Sequence, residues 1–173
     1  MFTRVFLNRC AAYMCMAALG LFAVGCAPDP APDPVGSDGW LTGSSEEKFD
    51  TVADQLRGFD VAMWEVGYRY NELYWAGQDE NWPYAEYHAE KIRTAMEQGF
   101  ERRPAREASA EEFMNEDLPG VKEAIDAEDP ELFEERMEVL TNSCNICHAL
   151  EEVPFMQVRL PSVRSTVIRM HND

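Results

Sequence analysis

The chain has 173 residues, with 32 acidic side chains against 15 basic ones and a net charge of -17 at pH 7. Phosphate contacts need lysine and arginine, so this composition excludes non-specific nucleic-acid binding and favours a partner with a basic docking face. Five cysteines are present, two of them in the stretch TNSCNICHAL, residues 141–150.

The first 25 residues have the composition of an export signal. Arg4 and Arg9 are their only charged residues, and an apolar run follows from Ala11 to Gly25. This run of about 15 residues is shorter than the ~20 residues that a membrane-spanning helix needs. Removal of residues 1–25 would leave 13 basic residues against 32 acidic ones, which brings the net charge of the mature chain near -19.

The apolar run ends in AVGC, which resembles the lipobox of bacterial lipoproteins. The resemblance implies cleavage before Cys26 and a lipid anchor on that cysteine. Ala27 stands where an aspartate would retain such a protein at the inner membrane, so the expected location is the periplasm, at the outer membrane. An ordinary signal peptide with an incidental cysteine is the alternative.

The rest of the chain is expected to consist of a linker, one folded domain and a tail. Residues 26–44 are rich in proline, aspartate, glycine and serine, which predicts a flexible linker. Residues 45–152 predict a single helical domain. Residues 153–173 contain partial alternation and several arginines, which predicts an extended tail lying across the acidic domain.

Four helices are predicted in the domain. Apolar residues recur at 3-4 spacing from Phe49 to Leu73, which predicts one helix of about 30 residues that ends at Gly77. A second helix has Pro83 in its first turn and ends before Pro104.

The third predicted helix begins with a capping box formed by Ser109 and Glu112, and Pro119 interrupts it. The fourth begins at Asp129 as the cap, with Pro130 as its first residue. Four helices with short connections predict an all-α fold, an antiparallel four-helix bundle.

The motif CNICH lies on the fourth predicted helix. At 100° per residue the side chains of Cys144, Cys147 and His148 leave the helix within about 100° of arc. Two thiols can then bond to a porphyrin while the imidazole binds its iron, and C-x-x-C-H is the sequence signature of one covalently attached haem c. Cys10 and Cys15 leave with the signal, so no cysteine of the mature chain is left over.

Three other uses of the motif remain open. A structural zinc site would need a further ligand, for which His88 and His171 are the available imidazoles. A thioredoxin-like dithiol would need a strand-to-helix setting, and the third possibility is a structural disulfide.

The sixth iron ligand is also left open by the sequence. Met63 lies on the apolar face of the first predicted helix and would give a low-spin iron with a raised potential, although methionine equally often fills a core. His88, Met156 or an open sixth position are the alternatives. Arg69 is the candidate partner for a haem propionate.

With these features the chain resembles the class II c-type cytochromes, the cytochrome c prime group and its low-spin relatives. The stretches MWEVGYRYNELYWAGQDENWPYAEY and CNICHALEEVPFM are also similar to a set of exported cytochrome-c-like lipoproteins. The resemblance implies thioether bonds at Cys144 and Cys147, His148 as the proximal ligand, Met63 as the distal one, and a capacity to form homodimers.

The sequence therefore predicts a periplasmic, membrane-anchored monohaem cytochrome that transfers single electrons and is not an enzyme. A gas-binding or gas-sensing haem protein with an open sixth site is the first alternative. A non-haem interaction protein with a structural CxxC is the second.

Overall fold

The computed structural model describes residues 33–165 and 167–169, and the prediction of an all-α fold is confirmed. The predicted export signal, Cys26 and His171 lie outside the described residues. Within them there is no strand, only an isolated bridge between Val35 and Leu41. The described residues form five α-helices: α1 Ser45–Leu56, α2 Phe59–Gln78, α3 Trp82–Arg102, α4 Leu118–Asp126 and α5 Pro130–Leu150. None of the described helices is both long enough and apolar enough to cross a membrane.

The chain divides into two compact units between Val52 and Ala53. In the first, a short 3-10 turn, Ser37–Gly39, lies between the bridged residues of the predicted linker. The start of α1 carries a reciprocal capping box, because Ser44 N–H donates to the Glu47 carboxylate (2.7 Å) and Glu47 N–H donates to the Ser44 hydroxyl (3.2 Å). α1 has no buried residue.

The prediction of one helix from 45 to 77 is wrong, because two residues separate α1 from α2. Arg57 has a left-handed backbone (φ 61°) and Gly58 is extended (φ -103°, ψ -154°), so neither continues the helical hydrogen bonds. The apolar pattern continues across this break unchanged, but Phe49 and Leu56, which precede the break in α1, are 75% and 56% exposed. Helical spacing alone does not reveal a break of two residues.

The second unit has its core between α2, α3, α4 and α5. α2 packs on α3, α3 on α4, α4 on α5, and α5 again on α2. Both helices of the α2–α3 pair carry small side chains that are 3% exposed or less, which allows the two helices to approach closely: Ala62, Ala76, Ala85, Ala89 and Ala95. Leu73, Phe133, Met137 and Leu140 fill the space between α2 and α5 and are at most 1% exposed.

The connection into α4 differs from the prediction. A π-helical turn, Phe113–Asp117, leads directly into α4, so Pro119 does not interrupt the helix. In a π turn each carbonyl bonds to the N–H five residues on, and for Met114 that residue is Pro119, which has no N–H. Arg93 Nη2 donates to the Met114 carbonyl instead (3.2 Å).

The predicted capping box at Ser109 is also wrong. The Ser109 hydroxyl bonds to the Arg106 carbonyl (2.9 Å) and to the Glu151 carboxylate, and it caps no helix. The predicted start of the last helix is confirmed, since the Asp129 side chain accepts from Glu131 N–H and Leu132 N–H, both at 3.0 Å.

The described part of the tail contains no helix and packs back on the helices of the second unit. Val158 and Leu160 pack against its core. Further along, the Arg164 guanidinium donates two hydrogen bonds to the Asp79 carboxylate (2.8 and 2.6 Å) and lies over the Trp75 ring (4.8 Å to the centroid). A bidentate pair that is also stacked is well suited to hold the tail in place.

Gly77 lies in the last turn of α2, which ends one residue later at Gln78, so the predicted end of this helix is confirmed to within one residue. A side chain at Gly77 is expected to destabilise the fold. A Cβ on Gly77 would lie 2.0 Å from Phe133 Cε1, and Phe133 is buried. Gly77→Ala should lower the free energy of unfolding by about 1–3 kcal/mol, because overpacking outweighs the gain in helix propensity.

Gly67, in the same helix, is the matched control, since a Cβ there meets nothing within 4 Å. Gly67→Ala should be neutral or stabilise by up to about 1 kcal/mol in urea unfolding of the haem-free chain. Equal effects of the two substitutions would contradict the packing of Gly77 against Phe133.

Candidate functional site

The second unit contains a cavity of about 580 Å³ between α2, α5 and the tail, within the size range of cofactor sites. Three of its lining residues are charged, and the others are apolar, aromatic, sulfur-containing or histidine. The lining consists of Phe59, Asp60, Met63, Trp64, Val66, Gly67, Tyr70, Met96, Arg106, Phe113, Cys144, Cys147, His148, Glu151, Val153, Met156 and Val158.

The cavity occupies one end of the space between α2 and α5. At the other end the two helices pack directly, and a hydrogen bond between Tyr70 Oη and Thr141 Oγ1 (2.5 Å) marks the boundary. Beyond it, Phe59, Met63 and Val66 of α2 are only partly buried because they face the cavity. The apolar stripe that the sequence assigns to a core is therefore core at one end and cavity wall at the other.

All three residues of the haem-attachment signature line this cavity. Cys144, Cys147 and His148 come from the last two turns of α5, and neither cysteine is in a disulfide. The helix begins at a strong cap, Asp129–Pro130, and continues without a break to Leu150, so the helical spacing places the three side chains on one face as predicted.

Burial makes both thiols poor nucleophiles. It raises the pKa of Cys144 to about 12, and the neighbouring Cys147 adds to the effect. The pKa of Cys147 is also raised by burial, while the Ser109 hydroxyl and Arg106 act in the opposite direction. A redox dithiol needs a thiolate of lowered pKa, and these environments do not supply one.

The imidazole of His148 is held by the tail. His148 Nδ1 lies 2.5 Å from the Met156 carbonyl oxygen, which can only accept, so Nδ1 carries the proton. Nε2 is then the nitrogen with the free electron pair, the form in which an imidazole binds a metal.

The structure brings three methionines to the cavity: Met63, Met96 and Met156. Met96 belongs to the buried core (4% exposed), Met63 is partly buried, and Met156 is 54% exposed. The predicted ligand Met63 and the alternative Met156 therefore both face the cavity, together with a third thioether, Met96, to which the sequence analysis gave no role.

Arg69 does not line the cavity. Its guanidinium donates to Glu65 (3.3 and 3.4 Å) and lies over the rings of Tyr68 and Tyr87. The positive charge on the cavity wall belongs to Arg106, which forms an ion pair with Glu151. Arg106 follows Pro104 in a short 3-10 turn, and no sequence pattern distinguishes it from the other arginines.

His88 is likewise outside the cavity. It is buried (1% exposed) in the middle of α3, surrounded edge-on by Tyr68, Tyr84 and Tyr87. Neither ring nitrogen has a hydrogen-bond partner among the described residues, and burial lowers the imidazole pKa to about 4. The T-shaped Tyr84 contact, with centroids 4.4 Å apart, allows at most a weak N–H···π interaction.

The sequence matches no protein-family model, no curated protein and no solved structure. Among the described residues, no three histidine, cysteine, aspartate or glutamate side chains are grouped so that they could hold a metal ion together.

A covalently bound haem fits the residues that line this cavity. Two free thiols and an imidazole face one apolar space, and methionine sulfurs face the same space. Gly67, one turn after Met63, leaves an opening that a Cβ would narrow, since nothing lies within 4 Å of that position. Arg106 provides a cation for a carboxylate at the wall.

The thiol of Cys144 should resist alkylation in the haem-free chain. Burial is the main cause that raises its pKa, and this cause remains in Cys147→Ala, so iodoacetamide should modify Cys144 at least about tenfold more slowly than a free cysteine. Mass spectrometry of Cys147→Ala, with and without urea, measures this rate. Equal rates in the folded and unfolded chain would contradict the burial of Cys144.

Proposed function

We propose that this protein is a c-type cytochrome that carries one covalent haem and transfers single electrons. The observation that supports it most directly is the meeting of Cys144, Cys147 and His148 on one apolar cavity that also contains methionine sulfurs. Bound there, the haem would supply a reversible one-electron change at its iron.

The chain's own residues have separate tasks in this proposal. Cys144 and Cys147 hold the porphyrin by two thioether bonds, His148 Nε2 binds the iron, and Met63 is the proposed sixth ligand. The aromatic and aliphatic wall excludes water, which keeps reorganisation of the surroundings small. Arg106 takes over from Arg69 as the proposed propionate partner, because it lines the cavity and Arg69 does not.

The proposal includes an antiparallel four-helix bundle of the class II cytochrome type, formed by α2, α3, the Phe113–Asp117 turn with α4, and α5. The cyclic order of helix contacts supports it. The antiparallel hydrogen bonds between α2 and α5 also support it: Tyr70 pairs with Thr141, and Gln78, further along α2, pairs with the earlier Glu134 (2.6 Å). The proposal extends to homodimer formation, which rests on the resemblance alone.

We also propose export and lipid anchoring at Cys26, with the domain in the periplasm at the outer membrane. Expression in a bacterial host with labelled palmitate should place the label on the wild-type chain and leave Cys26→Ser unlabelled. Label on both chains, or on neither, would exclude Cys26 as the lipid site.

We further propose that the strongly acidic chain binds a redox partner that has a basic docking face. This binding is expected to be weak and to become weaker with added salt.

The deciding experiment is an absorption spectrum of the full-length chain co-expressed with a haem-attachment system. Sharp reduced bands that survive acid–acetone extraction are expected. A broad high-spin spectrum with rapid CO binding would favour the gas-binding alternative. A colourless chain would exclude a cytochrome and would favour the alternative of a non-haem interaction protein with a structural CxxC.

A further inference from the structure

The two residues inside the CNICH motif, Asn145 and Ile146, are not needed for haem attachment, yet one of them makes specific contacts. Asn145 Nδ2 donates to the Val158 carbonyl (3.0 Å), and Val158 N–H donates to Asn145 Oδ1 (2.8 Å). One side-chain amide thus pairs with both polar backbone groups of a single tail residue, as a neighbouring strand would. Nothing about the attachment chemistry requires this pairing.

We propose that Asn145 is a positioning residue that fixes the tautomer and orientation of His148 through the tail. The bond it acts on is the contact between His148 Nδ1 and the Met156 carbonyl, two residues before the clamped Val158. The consequence for iron described below rests on the proposed function, whereas the positioning itself concerns only the chain's own atoms.

Two backbone hydrogen bonds tie the segment between His148 and Val158 together, and Val158 is only two residues beyond Met156, so a displacement of Val158 is expected to move the Met156 carbonyl. Val153 N–H donates to the His148 carbonyl (2.9 Å) as α5 ends, and Met156 N–H donates to the Val153 carbonyl (3.0 Å). Glu152, with a left-handed backbone (φ 62°), reverses the chain between them. The loop is closed at its far end by Asn145, less than one turn of helix before His148.

The same segment forms part of the cavity wall, since Val153, Met156 and Val158 all line it. Asn145 therefore connects two features of the site, the direction of the imidazole and the position of one wall. A carbonyl that accepts from Nδ1–H makes the opposite nitrogen a stronger donor to a metal. Stronger donation stabilises oxidised iron, so loss of the clamp should raise the reduction potential.

Asn142 provides a matched control for Asn145. It lies three residues earlier on the same helix and is exposed, and the hydrogen bonds to the tail come from Asn145. Asn145→Asp is an intermediate variant, because a carboxylate retains an acceptor for Val158 N–H and loses the donor to the Val158 carbonyl. Val158→Pro removes the same N–H from the other side.

The first experiment needs no haem. In the full-length chain produced without a haem-attachment system, long-range ¹H–¹⁵N NMR of the histidines should show His148 in the Nδ1–H form. Asn145→Ala and Val158→Pro should give a mixture of tautomers, Asn145→Asp a smaller change, and Asn142→Ala none. An unchanged tautomer in Asn145→Ala would overturn the proposal.

The second experiment measures the reduction potential of the haem-loaded variants. Asn145→Ala should raise it, with a change of about tenfold in the relative affinity of His148 for oxidised over reduced iron, or about 59 mV for one electron. Val158→Pro should do the same, and the double variant should add little, because both break one link. A shift no larger than that of Asn142→Ala, or full additivity, would refute the redox consequence.

These two experiments also separate this proposal from the proposed function. If the wild-type chain acquires no haem, the cytochrome proposal fails while the tautomer measurement still decides the role of Asn145. If haem is attached and the tautomer does not respond to Asn145→Ala, the cytochrome proposal stands and the positioning role is refuted.

Discussion

The double variant Cys144→Ala, Cys147→Ala should lose covalent haem completely. No thiol would remain to form a thioether bond, so acid–acetone should extract all of the colour. Haem-stained denaturing gels and spectra of the extracted pellet measure this loss. Each single variant should keep one bond and show a shifted reduced band, because one porphyrin edge remains unsaturated.

Ser143→Ala is the matched control for the cysteine variants. Ser143 is a buried neighbour on the same helix, and it is not one of the residues that line the cavity. Its replacement should leave the haem stain unchanged. Stain that persists in the double cysteine variant would mean that another residue holds the haem, and the assignment of the motif would have to be abandoned.

Met63→Ala should convert the haem iron from a low-spin, six-coordinate form to a high-spin, five-coordinate form. The far-red thioether–iron band of the oxidised protein should disappear, the reduced protein should bind CO, and the reduction potential should fall. In the haem-free chain the same change should cost little stability, since Met63 faces a cavity and is only partly buried.

The two other cavity methionines provide the controls. Met96→Ala should keep the far-red band and lower the free energy of unfolding by about 2–5 kcal/mol, because Met96 is part of the core. Met156→Ala should keep the band and change stability by less than about 0.5 kcal/mol, because Met156 is exposed. Loss of the band in either control, and not in Met63→Ala, would identify that methionine as the sixth ligand in place of Met63.

The unsubstituted protein provides a further test. Rapid CO binding before any substitution would support the gas-binding alternative.

Local patterns in the sequence predicted most of the helices and the shared face of the motif. Asp129 followed by Pro130 starts α5, and Pro83 lies in the first turn of α3, because caps and prolines act on their own backbone. Cys144, Cys147 and His148 share a face because the helical repeat fixes it. These inferences need no knowledge of what lies opposite each helix.

The sequence did not predict the helix ends that lack a glycine. Glu80, Glu128 and Glu152 all adopt a left-handed backbone after a helix (φ 53°, 51° and 62°), a conformation for which glycine is the usual signal. Gly77, where the first helix was predicted to end, lies one residue before the end of α2, and its lack of a side chain also lets Phe133 approach the helix. The three helix ends at glutamate were missed because glycine is not the only residue type that adopts the left-handed backbone, and glycine also serves close packing.

Only the tertiary structure decided which apolar residues are core and which line the cavity. Met63 and Leu73 belong to one helical pattern, and whether a partner helix presses on them depends on contacts with residues about 70 positions away. Long-range packing also places Arg106, and not Arg69, at the cavity wall. It likewise brings the Met156 carbonyl to His148. The sequence by itself determined helices and the chemistry that one face of α5 carries, because these follow from neighbours along the chain. The cavity and the hydrogen bond between the tail and His148 arise from packing between residues that are distant in the sequence. The spacing of residues along one helix carries no information about such contacts.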